Sequence, residues 1–359
     1  MRDLLIVVIC LIIIVLRART TASQYRVGES IVITSIVRSE PVRFEYSQGI
    51  EMQGLYMFLP LYPEIHYGDS LSVSGTVADD GILKSTDIIK HTSRTSPLFR
   101  IRNQLIAVFD RSLPAPNSGL VAGMTIGSKA LVPRDFWDML KVSGTAHVVV
   151  ASGMNITLVA SFLISLLVIR IPRPKAILIA CIGIWIYAFF AGFDAPIIRA
   201  SIMASIGLLG IVTCRVRYAW RSFVGSALIM LMVNPAWISD LGFILSFTAT
   251  GSLMLFERRV RRVLARLRIP HVVLEDLSTS LSAQIGVAPI LYYTFGYSNI
   301  WSPLINTLVL WTVVPIPSLG GVGGIIGLII PSLGRSILTL IYPLTWWFVE
   351  VVKFSSSYV

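Results

Sequence analysis

The sequence predicts a polytopic α-helical membrane protein with an N-terminal extracytoplasmic small β-barrel domain, OB-like in form. Three observations lead to this fold class. Of 359 residues, 55% are hydrophobic and only 14% charged, whereas a soluble globular chain carries about 25% charged residues. Mean hydropathy is +0.76. Residues 24–96 alternate apolar and polar side chains with a period of two, as half-buried strands do. From residue 144 onward, apolar runs of membrane length follow one another.

Residues 4–16 form a short apolar run after Met1-Arg2-Asp3. Ala18 and Ala22 would suit a cleaved signal peptide. Arg17 and Arg19 spoil the cleavage region, which favours an uncleaved anchor over residues 1–19. Residues 24–96 hold five strand-like stretches, at 30–37, 42–46, 50–59, 70–77 and 82–89. Turn signals at Ser47-Gln48-Gly49, Tyr67-Gly68-Asp69 and Asp79-Asp80-Gly81 separate several of them. Five short strands suit a small barrel, with a small sandwich as the alternative. Within residues 97–143, the stretch 98–113 sets Arg100, Arg102 and Arg111 among Leu105, Ile106 and Phe109. That pattern predicts an amphipathic helix along the membrane surface.

Residues 144–359 form the membrane part, with apolar runs at 146–169, 176–192, 197–214, 222–236, 241–256, 277–294, 303–318, 320–331 and 337–354. Pro315, Pro317, Pro331 and Pro343 predict discontinuous or re-entrant segments in the last third. Twelve basic residues cluster in every second loop: Arg170, Arg173 and Lys175; Arg215, Arg217 and Arg221; then six between Arg258 and Arg268. The intervening loops carry only Asp194 and Asp240. This alternation places the basic loops in the cytoplasm and the strand-rich domain outside. It also gives much of the formal net charge of +11 a topological origin. Residues 24–96 hold six basic and nine acidic side chains, a net charge of −3. That sign argues against a tight phosphate-binding groove in this domain alone.

Polar residues stand out against the apolar background. The entry to the first long run reads Gly144-Thr-Ala-His147, then Ser152-Gly153 and Asn155. A nucleophile–base pair of His147 and Ser152 is disfavoured, because five residues of helix turn them about 140° apart. A Ser-Gly break that lets the helix bend or pack closely is the better account. Arg199 sits inside a spanning run, either facing a wet interior or snorkelling to the headgroups, with Asp194 and Asp240 as candidate partners. Gln284 and Asn306 suit interhelical hydrogen bonds or a polar lining. The run Gly320-Gly-Val-Gly-Gly-Ile-Ile-Gly327 lacks the Lys-Ser/Thr ending of a phosphate loop and fits close helix packing or a re-entrant turn. Cys10, Cys181 and Cys214 have no metal spacing, and four scattered histidines form no ligand set. No cofactor, metal site or catalytic group is expected.

Five motifs occur in order: the Gly-rich stretch Gly119 to Gly127; Gly144-x-x-His147 with Ser152-Gly153; Pro196-Ile-Ile-Arg199-Ala200; Asn234-Pro235 with Asp240-Leu-Gly-Phe243-Ile-Leu-Ser246-Phe247; and Gln284, Pro289 with Pro303-Leu-Ile-Asn306. Together they resemble the ComEC family of competence proteins, the channels for DNA uptake in bacterial transformation, whose Gly-rich stretch is amphipathic. The strand-rich domain is similar to that family's extracellular OB-like domain. Two departures stand out: many members have His where this chain has Asn155, and the metallo-β-lactamase-like C-terminal domain of larger members has no counterpart up to Val359. The resemblance implies a non-enzymatic, multi-pass channel of the inner or plasma membrane that passes single-stranded DNA inward. Its implied partners are the DNA strand, the bilayer, other competence proteins and a cytoplasmic motor or strand-capturing protein. His147, Ser152, Asn155, Arg199, Asp240, Gln284 and Asn306 would line the path. A secondary transporter of a small anion, with broken helices at the midplane, is the rival reading. A scaffold without transport activity is a third.

Overall fold

The computed structural model describes residues 14, 27–37, 41–43, 46–78, 82–92, 97–149, 153–213, 219–267, 270–295, 299 and 301–357. Apart from Ile14, the expected anchor over residues 1–19 lies outside them, as do Ser152, Cys10 and Cys214.

Six strands form the N-terminal sheet: β1 (Ser30–Ile36), β2 (Val42–Arg43), β3 (Ser47–Met52), β4 (Leu55–Pro60), β5 (Ser70–Val77) and β6 (Ile82–Thr92). Their order is β1-β5-β6-β4-β3-β2, antiparallel throughout except for the β4–β6 pair. The period-two reading holds. Leu55, Met57 and Leu59 of β4 point inward with Leu71 and Val73 of β5 and Leu83 of β6 to build one apolar core. Among the described residues the six strands form one sheet, and no ladder joins β1 to β2 to close it.

Two stretches of the sheet differ from the sequence expectation. The stretch 50–59 is a hairpin and not one strand. Gln53 and Gly54 both take positive φ, 52° and 82°, the backbone of a two-residue turn that follows strand twist. The expected turn at 47–49 is instead the start of β3. Gln48 is 4% exposed, and its amide donates to the carbonyls of Pro60 (2.6 Å) and Pro63 (2.8 Å) while accepting from Ile65 N (3.1 Å). A polar residue that looks like a turn signal is thus a buried strut for the loop after β4.

The helices are α1 (Pro97–Ser112), α2 (Asn117–Ile126), α3 (Arg134–Ser143), α4 (Ala146–Val149), α5 (Gly153–Leu167), α6 (Arg173–Phe190) and α7 (Ala195–Val212). Then come α8 (Ala219–Val233), α9 (Leu241–Leu264), α10 (His271–Phe295), α11 (Ser302–Leu310), α12 (Pro315–Ile329) and α13 (Pro331–Ser356). Among the described residues, four stretches are long and apolar enough to cross a membrane: 146–167, α6, α7 and α13. The pair α11 and α12 passes the same test as one span bent by 47°, which locates the expected discontinuity in the last third. The runs at 241–256 and 277–294 are the apolar parts of α9 and α10, whose ends carry Arg258–Arg262 and Glu275–Asp276. Pro331 opens α13 just after the helix break at Ile330, as expected, whereas Pro343 lies within α13, which continues through it.

The largest apolar core gathers α1, α2, α3, α11, α12 and α13 around Phe109, Leu120, Met124, Leu140, Ile316 and Phe348. Contrary to the amphipathic expectation, α2 is buried along nearly its whole length. The Gly320–Gly327 run is a packing surface. A Cβ at Gly324 would lie 3.0 Å from the Phe109 ring, and Gly327 meets Gly334 backbone to backbone.

The α1 helix forms where its periodicity places it, but Arg102 turns inward, only 3% exposed. Its Nε donates to the Phe190 carbonyl (3.0 Å), and its guanidinium sits 4.5 Å from the Tyr67 ring centroid. Around it, Tyr67, Phe99, Phe189 and Phe193 touch in series at centroid distances of 5.6, 5.3 and 6.0 Å. This aromatic clasp ties the loop before β5 to the α6–α7 turn. Asp69, 3% exposed, steadies that loop by accepting from His66 N and from His91 Nε2, each at 2.9 Å.

The clasp can be tested at its glycine. Gly68 (φ 97°) and Gly54 (φ 82°) both have left-handed backbones, so replacing either with Ala costs roughly 1–2 kcal/mol. A Cβ at Gly68 would also meet the Phe99 ring at 2.7 Å, whereas nothing lies within 4 Å at Gly54. Thermal unfolding in detergent should show the larger loss of Tm for Gly68→Ala.

Candidate functional site

The opening motif of the membrane part is built on one backbone feature. Helix α3 ends at Gly144 with φ 74°, where the chain turns left-handed and its N–H closes back onto Leu140 and Lys141. A Cβ there would strike Ser302 Oγ. Glycine therefore lets the start of α11 close onto the end of α3. Ser302 Oγ donates to the Gly144 carbonyl at 3.5 Å, and Asn306 Nδ2 donates to Ser302 Oγ at 3.3 Å. One residue row away, Asn299 Nδ2 donates to the Val142 carbonyl (2.9 Å), and Gln284 Nε2 donates to the Asn299 carbonyl (3.3 Å). Gln284 and Asn306 thus meet the Gly144 segment through the intermediates Asn299 and Ser302.

A second junction joins the Gly-rich helix to the same segment. Asn155 is 4% exposed, and its Nδ2 donates to the Met124 carbonyl at 2.7 Å. A Cβ at Gly123 would lie 2.7 Å from the Val149 carbonyl, so α2 and α4 also approach backbone to backbone.

The third junction is around Arg199. Asp240 caps α9, its Oδ1 accepting from Phe243 N at 2.7 Å. That cap starts the helix that presents Ser246 and Phe247. Arg199 Nε donates to Ser246 Oγ (2.7 Å). Its guanidinium carbon lies 5.9 Å from the Phe247 centroid, and Phe247 stacks on Phe243 at 4.4 Å. Arg199 therefore points into the bundle and does not snorkel. Asp240, considered as its ion-pair partner, serves as a helix cap.

Of the candidate residues, His147 is exposed on α4, Asp240 is exposed at its cap, and Arg199 and Gln284 are half-buried. Asn155 and Asn306 are buried, and Asn306 Oδ1 has no partner among the described residues. Sequence reasoning missed the linking residues Ser302 and Asn299. The signal for Ser302 was its place just before Pro303, in the first turn of a helix. Asn299 gave no signal, because its role depends on Val142, far away in sequence. Among the described residues no group of three or more His, Cys, Asp or Glu is placed to hold a metal ion.

The Asn155 contact predicts a structural cost for Asn155→Leu. Removing the amide strands the buried Met124 carbonyl, at a cost of about 1–3 kcal/mol. The purified variant should melt at lower temperature than the parent. An unchanged midpoint would contradict the strut.

Comparison with known proteins agrees with these motifs. The chain is 28% identical over 252 residues to ComE operon protein 3 of Bacillus subtilis, covering 69% of this chain and 30% of that protein. It is 26% identical over 223 residues to competence protein ComA of Neisseria gonorrhoeae, covering 57% of this chain and 30% of that one. Recombination protein 2 of Haemophilus influenzae is 28% identical over 151 residues, 40% of this chain and 19% of that protein. The chain thus spans less than a third of the length of these curated relatives. No solved structure matches it significantly. Residues 124–358, well over half of the chain, match the family described as competence protein, and the chain belongs to that family, the ComEC family that its motifs resemble.

Proposed function

We propose that this chain forms the membrane part of a path that carries single-stranded DNA inward across the inner or plasma membrane during transformation. The observation that carries the reading is the convergence of the family motifs. Segments from Gly119 to Asn306 meet through polar side chains inside the helical part, at Asn155, Arg199, Gln284 and Asn306. Polar groups at membrane depth persist only where protein or water covers them, and a phosphate backbone requires such a wet route. In this reading the basic loops face the cytoplasm, the β domain lies outside as an OB-like module, and His147 wets the outer mouth. Asn155 and Asn306 brace the walls from behind. The reaction is transport and not catalysis. Driving force comes from other competence proteins, through a cytoplasmic motor or a protein that captures the emerging strand.

Two experiments test this. In a background lacking Cys10, Cys181 and Cys214, Asp87→Cys should react with an impermeant thiol reagent on intact cells and Arg262→Cys should not. Equal labelling would overturn the orientation. In a transformation assay, His147→Leu should lower uptake of labelled DNA several-fold, while His147→Gln, which stays polar, should retain most of it. Equal loss in both would replace wetting by a specific imidazole role.

A further inference from the structure

Arg199 is a cation in the second turn of a spanning helix, and among the described residues it forms no ion pair. Its neighbours are a hydroxyl, a thioether and a ring: Ser246 on Nε at 2.7 Å, Met203 Sδ on Nη1 at 3.5 Å, and Phe247 at 5.9 Å. These contacts orient the guanidinium without neutralising it. Its remaining edge faces Gly153, where a Cβ would lie 3.6 Å from Nη2 and 3.2 Å from Ala200 Cβ. Glycine thus keeps side-chain bulk away from the free nitrogen. A guanidinium stays protonated at any physiological pH, and a half-buried charge within a membrane bundle is costly until it is matched. Among the described residues neither Asp194 nor Asp240 forms an ion pair with it, and Asp240 Oδ1 accepts from Phe243 N.

We propose that Arg199 is a phosphate seat: Nη1 and Nη2 hold one phosphodiester oxygen pair of the passing strand, with Ser246 and Phe247 as positioning residues. This rests on the strand-path reading above and specifies the chemistry it recognises. The fork of a guanidinium matches two phosphate oxygens. A single seat reads charge and not base, so it is indifferent to sequence. One contact also binds weakly enough for the strand to move on, which conduction requires. The strand is favoured over a lipid headgroup because the side chain turns from the helix surface toward Ser246 of α9.

The test uses the full chain in lipid nanodiscs and a fluorescent short deoxythymidine oligomer, with a methylphosphonate oligomer of neutral backbone as the comparison. Affinity is measured over a range of salt. The parent should bind the charged oligomer in preference. For Arg199→Gln, the slope of log affinity against log salt should fall by about 0.7, the value of one phosphate on a single strand, while Arg199→Lys keeps the parent slope. A variant that folds less well loses amplitude and not slope, so misfolding does not imitate the result. Equal slopes for the parent and Arg199→Gln, both binding DNA, would overturn the seat and leave the path intact. Equal slopes together with loss of tightly bound phospholipid from Arg199→Gln would assign the guanidinium to a headgroup and also overturn it. Failure of the parent to bind either oligomer would count against the strand-path reading itself.

Discussion

A polar group inside hydrocarbon has to find its partner within the protein or in enclosed water. The specific features of this chain follow largely from how it meets that condition. Asn155 holds the Met124 carbonyl, Asn299 holds the Val142 carbonyl, and Ser302 reaches the Gly144 carbonyl. Each of these carbonyls lies at or near the end of a short helix, where the backbone has no partner of its own. The motif residues are therefore first of all caps and struts. They let helices α2, α3 and α11 end against their neighbours without stranded backbone.

Glycine sets where those junctions can form. At Gly144 the left-handed backbone and the contact with Ser302 both exclude a side chain. At Gly123 the constraint is close approach to the Val149 carbonyl, and at Gly327 and Gly334 it is contact between two helix backbones. The apolar core around Phe109 and Phe348 then closes over these contacts. Close approach of this kind replaces the hydrophobic drive that soluble helices use, since lipid is as apolar as the helix surfaces it covers.

Two inward arginines show the same rule giving different results. Arg102 meets a backbone carbonyl and an aromatic face and is 3% exposed, so its charge serves the clasp between sheet and helices. Arg199 has a hydroxyl, a sulfur and a ring, and it stays half-buried with no carboxylate among the described residues. The first is a structural pin and the second is left with electrostatic capacity to spare. The α6–α7 turn joins them in sequence, with Phe190 bound to Arg102 on one side and Arg199 on the other.

Local physics made much of the architecture legible in the sequence. Period-two alternation located β1, β5 and the start of β6, apolar run length located α6 and α7, and the Arg-Leu-Phe spacing located α1. Five weak motifs in order pointed to the family that residues 124–358 match. Local signals misled where one residue type serves two environments. Ser47-Gln48-Gly49 reads as a turn until Pro60 and Pro63 arrive to accept from the Gln48 amide. Pro343 reads as a break, yet α13 continues through it. The direction of Arg102, the partner of Asn155 and the seat of Arg199 were decided only by the tertiary structure. Their partners lie 88, 31 and 47 residues away. A side chain's residue type and helical phase are properties of its own segment. The group it satisfies is a property of whichever segment packs against it, and that is settled only when the helices close together.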